Sequence, residues 1–368
     1  MSPTKTSDIA FAFDIDGVLL KGTKPIPRAS EAIELLQALE IPFIFLTNGG
    51  GHTEAAHVNQ LGKRLGLTLD ARQFVQSHTP FQDLVPEYGG KTVLVLGGQG
   101  QQIRELAREY GFRNVVTSSD LVAADGSIHP FPEMTSAHHA QHGRVSNVLL
   151  AAKKTAPIAA ILCWTSPRDW CLDLQVVMDL LLSKGGVLGT RSPKNGDPSL
   201  PNCGYLQDGQ PRLFFSNPDF EWSTGHRLPR FAQGAFREAL QGVWRAATGG
   251  DCGGGGGGGG GGAMLSYSIV GKPSETTFDY AERALRKYAD WVTGDLRSVG
   301  TVYMIGDNPE SDIVGANSYK SRFGIDWKSV LVETGVYVPG SVPKHRPTHT
   351  ASNVEEAVIW ALEGEGGC

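Results

Sequence analysis

Four groups of polar residues stand where chemistry could be done, because each follows a short apolar run of the kind that forms strands. The groups are Asp14-Ile15-Asp16-Gly17, Thr47-Asn48-Gly49, Gly271-Lys272-Pro273 and the run from Gly306 through Asp307 to Asp312. In open α/β sheets, ligands bind outside the carboxyl ends of the strands. We therefore expect these four groups to converge on one site.

The carboxylate pair Asp14 and Asp16 offers the reactive chemistry of this site. Gly17 lets the chain turn after them, so that one acid can attack an electrophile while the other moves protons. If the electrophile is a phosphate dianion, a carboxylate about 4 Å away meets a repulsion on the order of 8 kcal/mol at an effective dielectric constant near 20. Such a site therefore needs positive charge.

Lys272 supplies one positive charge, and a metal ion could supply more. Asp14 and Asp307 carry carboxylate oxygens, the hard donors that Mg²⁺ prefers. The phosphoryl oxygens could be held by the hydroxyl of Thr47 and by the backbone N–H groups of Asn48 and Gly49. These residue types together indicate Mg²⁺-assisted chemistry on a phosphorylated molecule.

Strand-like and helix-like patterns alternate along the chain and predict an α/β fold. The strand-like runs are almost wholly apolar, as in parallel strands covered on both faces. Helical spacing lies between them, as in Ala29-Ile33-Leu36-Leu39 and in Phe278-Ala281-Leu285-Tyr288, which we expect to begin with Pro273 in the first turn. The predicted strands are residues 9–13, 41–46, 92–96, 158–163, 267–270, 302–305 and 330–332.

Composition excludes several classes of protein. The 368 residues suffice for two or three domains. A net charge of −5 lacks the basic footprint of a nucleic-acid binder, and no apolar run approaches the roughly 18 residues that span a bilayer. The five scattered cysteines predict neither a disulfide framework nor a zinc site. Because few residues precede the first apolar run, we expect no targeting leader and a cytoplasmic protein, with the mitochondrion as the alternative.

The four polar groups, in this order and at strand ends, resemble the four signatures of the haloacid dehalogenase superfamily of phosphotransferases. The long gap between Thr47 and Lys272 is similar to that of members with a cap domain inserted after the second signature. The resemblance implies a three-layer, Rossmann-like core of residues 1–83 and 269–368. Residues 84–268 would then form an inserted α/β cap domain of the type found in subclass IIA.

Segments inside the gap resemble a narrower group, the cat eye syndrome critical region protein 5 family. This resemblance covers most of the chain, apart from the glycine run and the residues around 124–147. Because related capped phosphatases associate through their caps, it also implies that copies of this chain could do so. The matching segments are Ser166-Pro167-Arg168-Asp169-Trp170, Asp173-Leu174-Gln175, Phe215-Ser216-Asn217-Pro218-Asp219 and Gln233-Gly234-Ala235-Phe236-Arg237.

Residue roles follow from the superfamily resemblance, position by position. Asp14 would attack phosphorus and form an aspartyl-phosphate, which water would then hydrolyse. Asp16 would act first as an acid and then as a base, while Lys272 would neutralise Asp14 and the transferring group. Asp307 would hold Mg²⁺ together with Asp14 and the backbone carbonyl of Asp16, and Asp312 would support these ligands from behind.

The expected function is that of a Mg²⁺-dependent phosphatase that hydrolyses a small phosphorylated metabolite, with the cap choosing the leaving group. One alternative is a catalytically idle relative that senses a phosphorylated ligand or takes part in protein assembly. Transfer of the phosphoryl group to an acceptor other than water, as in a mutase, is also open. We expect no nucleic-acid partner and no membrane span.

Three features of the gap carry separate expectations. Asn217 and Asp219 flank a proline in a turn after an apolar run, and we expect them to contact the substrate from the cap. His138, His139 and His142 lack a carboxylate at matching spacing, which favours a solvated loop over a metal site. Residues 249–263 contain an unbroken run of glycines and predict a flexible insertion.

Overall fold

The computed structural model describes residues 8–145, 156–222, 226, 228–249, 262–294 and 299–366. The chain divides into two units, Met1–Pro80 with Val270–Cys368, and Phe81–Ile269. Each unit contains a parallel sheet with helices, which confirms the predicted α/β class. The assignment of the units as catalytic core and cap stays a prediction. Most of the predicted glycine-rich insertion, 249–263, lies outside the described residues.

A parallel six-stranded sheet forms the centre of the first unit. Its strand Ile9–Phe13 is buried at every position, as expected for a strand covered on both faces. The strands in order across the sheet are His349–Ala351, Asp326–Val332, Thr301–Gly306, Ile9–Phe13, Phe43–Leu46 and Phe74–Val75, and a separate antiparallel pair is formed by Leu20–Lys21 and Lys24–Pro25.

Helices cover both faces of this sheet, which gives the first unit three layers. Successive strand side chains point to opposite faces. Phe13 therefore belongs to the core that includes the helix Ala29–Ala38, whereas Ala12 belongs to the core that includes the helix Glu275–Thr293. The helices of this unit are Ala29–Ala38, Glu54–Leu65, Glu275–Thr293, Val314–Ser318 and Val354–Gly366, with short turns of 3₁₀-helix at Ala71–Gln73 and of π-helix at Pro309–Ile313.

The helix Glu275–Thr293 begins and ends with ordinary capping signals. The hydroxyl of Ser274 accepts a hydrogen bond from the N–H of Thr277, and Gly294 ends the helix in the left-handed conformation. Pro273 lies one residue before the cap, so the expectation that it occupies the first turn is wrong. Ser274 takes that boundary because its side chain satisfies an N–H group that would otherwise lack a partner.

A parallel five-stranded sheet forms the centre of the second unit. Its strand Asn114–Thr117 was not among the predicted strands. The strands in order are Ser268–Ile269, Arg212–Phe215, Ile158–Cys163, Thr92–Leu96 and Asn114–Thr117, and a separate antiparallel pair is formed by Glu221–Trp222 and Arg230–Phe231. The helices are Val85–Tyr88, Gln102–Tyr110, Ser118–Ala124, Ser136–His142, Trp170–Leu181 and Gln233–Thr248, and the 3₁₀ turns are Gly126–Ile128, Pro132–Met134 and Pro201–Gly204. A further 3₁₀ turn, Thr79–Leu84, spans the boundary between the two units.

Two exclusions made from composition can be compared with the structure. Across the described ranges, every helix is too short or too polar to cross a membrane. Cys203 is disulfide-bonded, so the expectation that the cysteines form no disulfide is wrong for this residue. Cys163 and Cys171 are free thiols.

The helix Trp170–Leu181 buries a carboxyl group, Asp173, in the second unit. Its Oδ1 accepts a hydrogen bond from the hydroxyl of Ser118 at 2.5 Å. Desolvation raises the pKa of Asp173 to about 7, against the opposing effect of the Ser118 hydrogen bond and with a further rise from the charge of Asp169. Between pH 3.8 and about 7, the folded chain therefore keeps a proton that the unfolded chain releases.

Replacing this carboxyl group should change how stability depends on pH. Between its unfolded pKa of 3.8 and about 7, Asp173 binds more protons in the folded state, so its contribution to the free energy of unfolding falls as pH rises. At 1.36 kcal/mol per pH unit, the fall is on the order of 4 kcal/mol. Urea unfolding should show a weaker loss of stability across this window in Asp173→Asn than in the wild type.

The exposed acid Glu105 in the same unit provides the control. Glu105→Gln should follow the wild-type pH dependence. Equal slopes for the wild type and Asp173→Asn would mean that Asp173 does not hold its proton in the folded state.

Candidate active site

Three neighbouring strands of the first unit end beside one another and place the predicted reactive residues together. Phe13 is in register with Ile305 on one side and with Phe45 on the other. Asp14 and Asp307 directly follow two of these parallel strands, and Thr47 follows the third. For these three groups, the convergence expected from the carboxyl ends of parallel strands is present in the fold. The fourth group, with Lys272, follows the strand Ser268–Ile269, which belongs to the other sheet, so the expectation that four strand ends of one sheet meet is wrong for Lys272.

Lys272 lies buried among the acids of this sheet edge. Its Nζ atom is 2.9 Å from Oδ1 of Asp14 and 2.7 Å from Oδ1 of Asp312. Both approaches have ion-pair distance but miss the angles of a hydrogen bond. Burial by itself would lower the pKa of Lys272, but the negative charges of Asp14 and Asp312 more than offset this and raise it. The lysine is therefore a fixed positive charge.

Three buried carboxyl groups share this small volume. One oxygen from each of Asp14, Asp307 and Asp312 lies within 4.8 Å of the other two. Desolvation, followed by repulsion from Asp14, raises the pKa of Asp307 to about 8. Desolvation also raises the pKa of Asp312 to about 6, although Lys272 opposes the shift. One ammonium group is thus too little charge to keep all three carboxyl groups ionised.

Backbone atoms pack tightly around Asp307. The N–H of Val336 donates to its Oδ2 atom at 2.7 Å. A Cβ atom on either Gly17 or Gly335 would collide with the Asp307 carboxylate, so neither position has room for a side chain. The contacts from Gly335 and Val336 were missed by sequence reasoning, although these residues do follow the end of the strand Asp326–Val332.

Asn48 joins two distant parts of the first unit. Its Nδ2 atom donates to the backbone carbonyl of Lys272 at 2.9 Å, and its Oδ1 atom accepts from the N–H of Lys272 at 2.7 Å. The N–H of Gly49 donates to Oγ1 of Thr47 at 3.0 Å. The side chain of Asn48 therefore positions the lysine, while its backbone N–H group and that of Gly49 stay predicted phosphate contacts.

Asp16 is exposed and lines a cavity of about 210 Å³ together with Thr47 and Gly49. Partial desolvation of the carboxyl group raises its pKa, and the charge of Asp14 raises it further, whereas Lys272 and Arg64 lower it. A raised pKa suits a group that must both give and accept a proton. The two acids of the first signature thus differ in environment, because Asp14 is buried beside the ammonium group and Asp16 faces the cavity.

His78 supports the loop that follows Thr47, and no pattern in the sequence singled it out. It is fully buried, and its Nε2 atom accepts a hydrogen bond from the N–H of Gly51 at 3.0 Å. Desolvation lowers the pKa of His78 to about 3, so the ring is neutral at physiological pH and can accept this bond. A Cβ atom on Gly50 would press against the same ring, which explains the glycine there.

Asn217 and Asp219 lie in the second unit, in the turn after the strand Arg212–Phe215. The N–H of Asp219 donates to Oδ1 of Asn217 at 2.7 Å, and the carbonyl of Asp219 accepts from the N–H of Gly234 at 2.8 Å. These bonds shape the turn itself. The role of both residues as substrate contacts stays a prediction.

The histidine-rich segment is a helix, Ser136–His142, and the expectation of a solvated loop there is wrong. His139 is buried, with Nε2 at 3.2 Å from Oδ2 of Asp169, and Nε2 of His129 is 2.9 Å from the same oxygen. The N–H of Phe131 donates to Nδ1 of His129, which assigns the ring proton to Nε2. That proton points to Asp169, so His129, His139 and Asp169 form a hydrogen-bonded cluster, and one possible ligand atom from each lies within 4.8 Å of the other two. The sequence spacing did not reveal the carboxylate of Asp169, and the expectation that no metal binds here stays a prediction.

A larger cavity, of about 550 Å³, lies in the second unit between the helix Gln233–Thr248 and residues 262–267. Its described lining contains Arg245 but no carboxylate, imidazole or thiol. The hydroxyl groups of Ser266 and Tyr267 also line it, but the carboxylates on which the chemistry indicated above depends are missing from its described lining. The smaller cavity beside Asp16 is therefore the candidate active site.

Comparisons with known proteins identify the family of this chain. A family model described as haloacid dehalogenase-like hydrolase matches residues 11–113, and one described as HAD-hydrolase-like matches residues 269–357. A mitochondrial hydrolase of Saccharomyces cerevisiae is 35% identical over 98% of this chain and 97% of its own length. The chain belongs to the haloacid dehalogenase-like hydrolases. It is therefore an enzyme of this family, as the resemblance of the four signatures implied.

A second similar protein sequence and one solved structure extend the comparison. A cardiolipin synthase (CMP-forming) / mitochondrial hydrolase fusion protein of Schizosaccharomyces pombe is 38% identical over 98% of this chain, which spans about half (54%) of that protein's length. The solved structure of a p-nitrophenyl phosphatase from Archaeoglobus fulgidus has a TM-score of 0.59 and 17% identity, and the match covers 97% of this chain and 100% of that one. The latter likeness shows the shared fold.

Removing the side chain of Asn48 should release the backbone of Lys272. Asn48→Ala deletes two hydrogen bonds between segments far apart in the chain, and we expect a loss of about 2 kcal/mol in the free energy of unfolding, measured in urea. Asn59→Ala, on the exposed face of the helix Glu54–Leu65, is the matched control and should change stability by less than about 0.5 kcal/mol. Equal effects of the two substitutions would contradict the proposed link.

Proposed function

We propose that this hydrolase is a phosphatase that cleaves a small phosphorylated metabolite through an aspartyl-phosphate on Asp14. The observation that supports it best is the Nζ atom of Lys272 at 2.9 Å from Asp14, at the edge where three strands end. A buried ammonium group at this place offsets the repulsion between a carboxylate and a phosphate dianion. Asp16, at the adjacent cavity, is available for proton transfer.

In the first step, a carboxylate oxygen of Asp14 forms a bond to phosphorus while the bond from phosphorus to the leaving oxygen breaks. Asp16 donates its proton to that oxygen as the alcohol departs. In the second step, Asp16 takes a proton from a water molecule whose oxygen attacks phosphorus, and the bond to Asp14 breaks. Lys272 orients Asp14 and offsets negative charge on the attacking group, and Thr47 holds a phosphoryl oxygen through its hydroxyl group.

A divalent cation fits the donor set around Asp14. Three buried carboxyl groups face one ammonium group, and their oxygens are the hard ligands that Mg²⁺ prefers. Asp14, Asp307 and the backbone carbonyl of Asp16 would hold the ion, with Asp312 behind them through its contact with Lys272. When bound, Mg²⁺ would offset negative charge on the transferring phosphoryl group.

The cellular compartment of the protein and the role of its second unit are also proposals. We infer that the protein acts in the mitochondrion, because two relatives that match 98% of the chain are named mitochondrial hydrolases, and fractionation of cells with the tagged full-length protein would test this. We further propose that residues 84–268 act as the cap that selects the leaving group, with Asn217 and Asp219 contributing. Three expectations stay predictions: that the substrate is small, that nucleic acid is not a partner, and that copies of the chain associate through the cap.

Removal of the nucleophile provides the main test. Hydrolysis of para-nitrophenyl phosphate should fall at least about a thousandfold in Asp14→Asn, and rapid acid quenching should trap covalent phosphate on the wild type only. Asp290→Asn, an exposed acid in the same unit, is the control and should keep full activity. Tight binding of phosphorylated metabolites by the wild type with no turnover would instead favour the idle ligand sensor.

Removal of divalent metal should abolish turnover while the fold remains. After chelation with EDTA, the circular dichroism spectrum should be unchanged, and Mg²⁺ should restore phosphate release. In titration calorimetry, Asp307→Asn should lose Mg²⁺ binding, whereas Asp290→Asn should keep it, because only Asp307 belongs to the carboxyl cluster. Full activity in the presence of the chelator would refute the metal requirement.

A further inference from the structure

One face of the helix Glu54–Leu65 forms a wall of the cavity beside Asp16. The lining residues on this helix are His57, Gln60, Leu61 and Arg64. They are spaced at intervals of three and four residues, which places them on one side of a helix. The cavity therefore has a wall with one guanidinium group at its end, in addition to the phosphate-handling residues at the strand ends.

Arg64 has no ion-pair or hydrogen-bond partner within the described parts of the chain. Its side chain is partly buried, so its charge is less screened than that of a surface arginine. It is near enough to Asp16 to influence that acid electrostatically, yet the two do not form an ion pair. The five N–H donors of a guanidinium group match the oxygens of a carboxylate or a phosphate. The N–H donors of Arg64 are therefore available to bind an anionic group of a ligand in the cavity.

Arg64 is distinct from the charges that the proposed phosphatase reaction uses. Lys272 is buried and already contacts two carboxylates, so it serves the transferring phosphoryl group. Asp16 lies at the same cavity as Arg64 and would protonate the leaving oxygen. The part of the substrate attached to that oxygen would then extend along the wall that ends in Arg64.

We propose that Arg64 binds a second anionic group, carboxylate or phosphate, on the leaving group of the substrate. This inference rests on the proposed phosphatase function and narrows its substrate class to phosphate monoesters of small acids or bisphosphates. The cavity volume of about 210 Å³ is below the roughly 300–1,000 Å³ of pockets for drug-sized ligands, which favours a compact leaving group.

The test compares pairs of substrates of which only one member carries a second negative charge. The phosphate monoester of beta-hydroxypropionate and its carboxamide have nearly the same shape, but only the first is anionic at both ends. A comparison of propanediol bisphosphate with propyl phosphate tests whether the second anionic group can be a phosphate. The wild type should prefer the anionic member of at least one pair by about tenfold in kcat/KM, and the responding pair identifies the anionic group.

The preference should depend on Arg64 and not on positive charge in general. In Arg64→Gln the ratio of kcat/KM values within a pair should fall to about one, and Arg64→Lys should retain part of it. Lys63→Gln removes a charge from the exposed neighbouring position and should leave the ratio intact. Any effect of Arg64 on the proton affinity of Asp16 acts on both members of a pair, so it cancels in the ratio.

The outcomes separate this proposal from the phosphatase function. Hydrolysis of para-nitrophenyl phosphate without any preference within either pair would overturn the role of Arg64 alone. A preference that persists in Arg64→Gln and Arg64→Lys would do the same. Absence of hydrolysis of every ester, para-nitrophenyl phosphate included, by folded wild type that binds Mg²⁺ would overturn the phosphatase function and the substrate class together.

Discussion

The buried contact of one ammonium group with two carboxylates is the interaction on which the site depends. Lys272 holds Asp14 and Asp312 at ion-pair distance, while Asp307 completes a cluster of acids that burial and mutual repulsion push toward protonation. Such a cluster is destabilising unless positive charge is brought to it. The same shortage of positive charge explains why the residues suit a divalent cation, and why a single lysine would not be enough for chemistry on a phosphate dianion.

Backbone packing keeps this charged cluster in place. Asn48 fastens Lys272 by two hydrogen bonds, just after the chain returns from the second unit, and Val336 holds Asp307 from another strand end. Gly17 leaves no room for a side chain against Asp307, so close main-chain packing constrains the position of this acid. Preorganisation of this kind matters because charge stabilisation is effective only when the groups need not rearrange during the reaction.

The reaction that we propose and the recognition of a second anionic group that we propose for Arg64 use different parts of the first unit. The acids and the lysine at the strand ends belong to the reaction that we propose, and members of the same fold family can share them while acting on different molecules. The wall of the cavity that ends in Arg64 is a local feature of one helix. A guanidinium group there can discriminate between leaving groups without altering the machinery beside Asp14.

The sequence alone determined the α/β class, seven of the eleven strands described in the two parallel sheets, and the four polar groups at strand ends, because these depend on short apolar runs and on the order of residues along the chain. It did not determine the contacts of Val336 and His78, the strand Asn114–Thr117 or the burial of His139, since each depends on segments distant in sequence. The sequence also did not determine that Arg64 lines the cavity, because this too depends on segments distant in sequence. Tertiary structure decided these features because a local pattern carries no information about which distant backbone or side chain will pack against it.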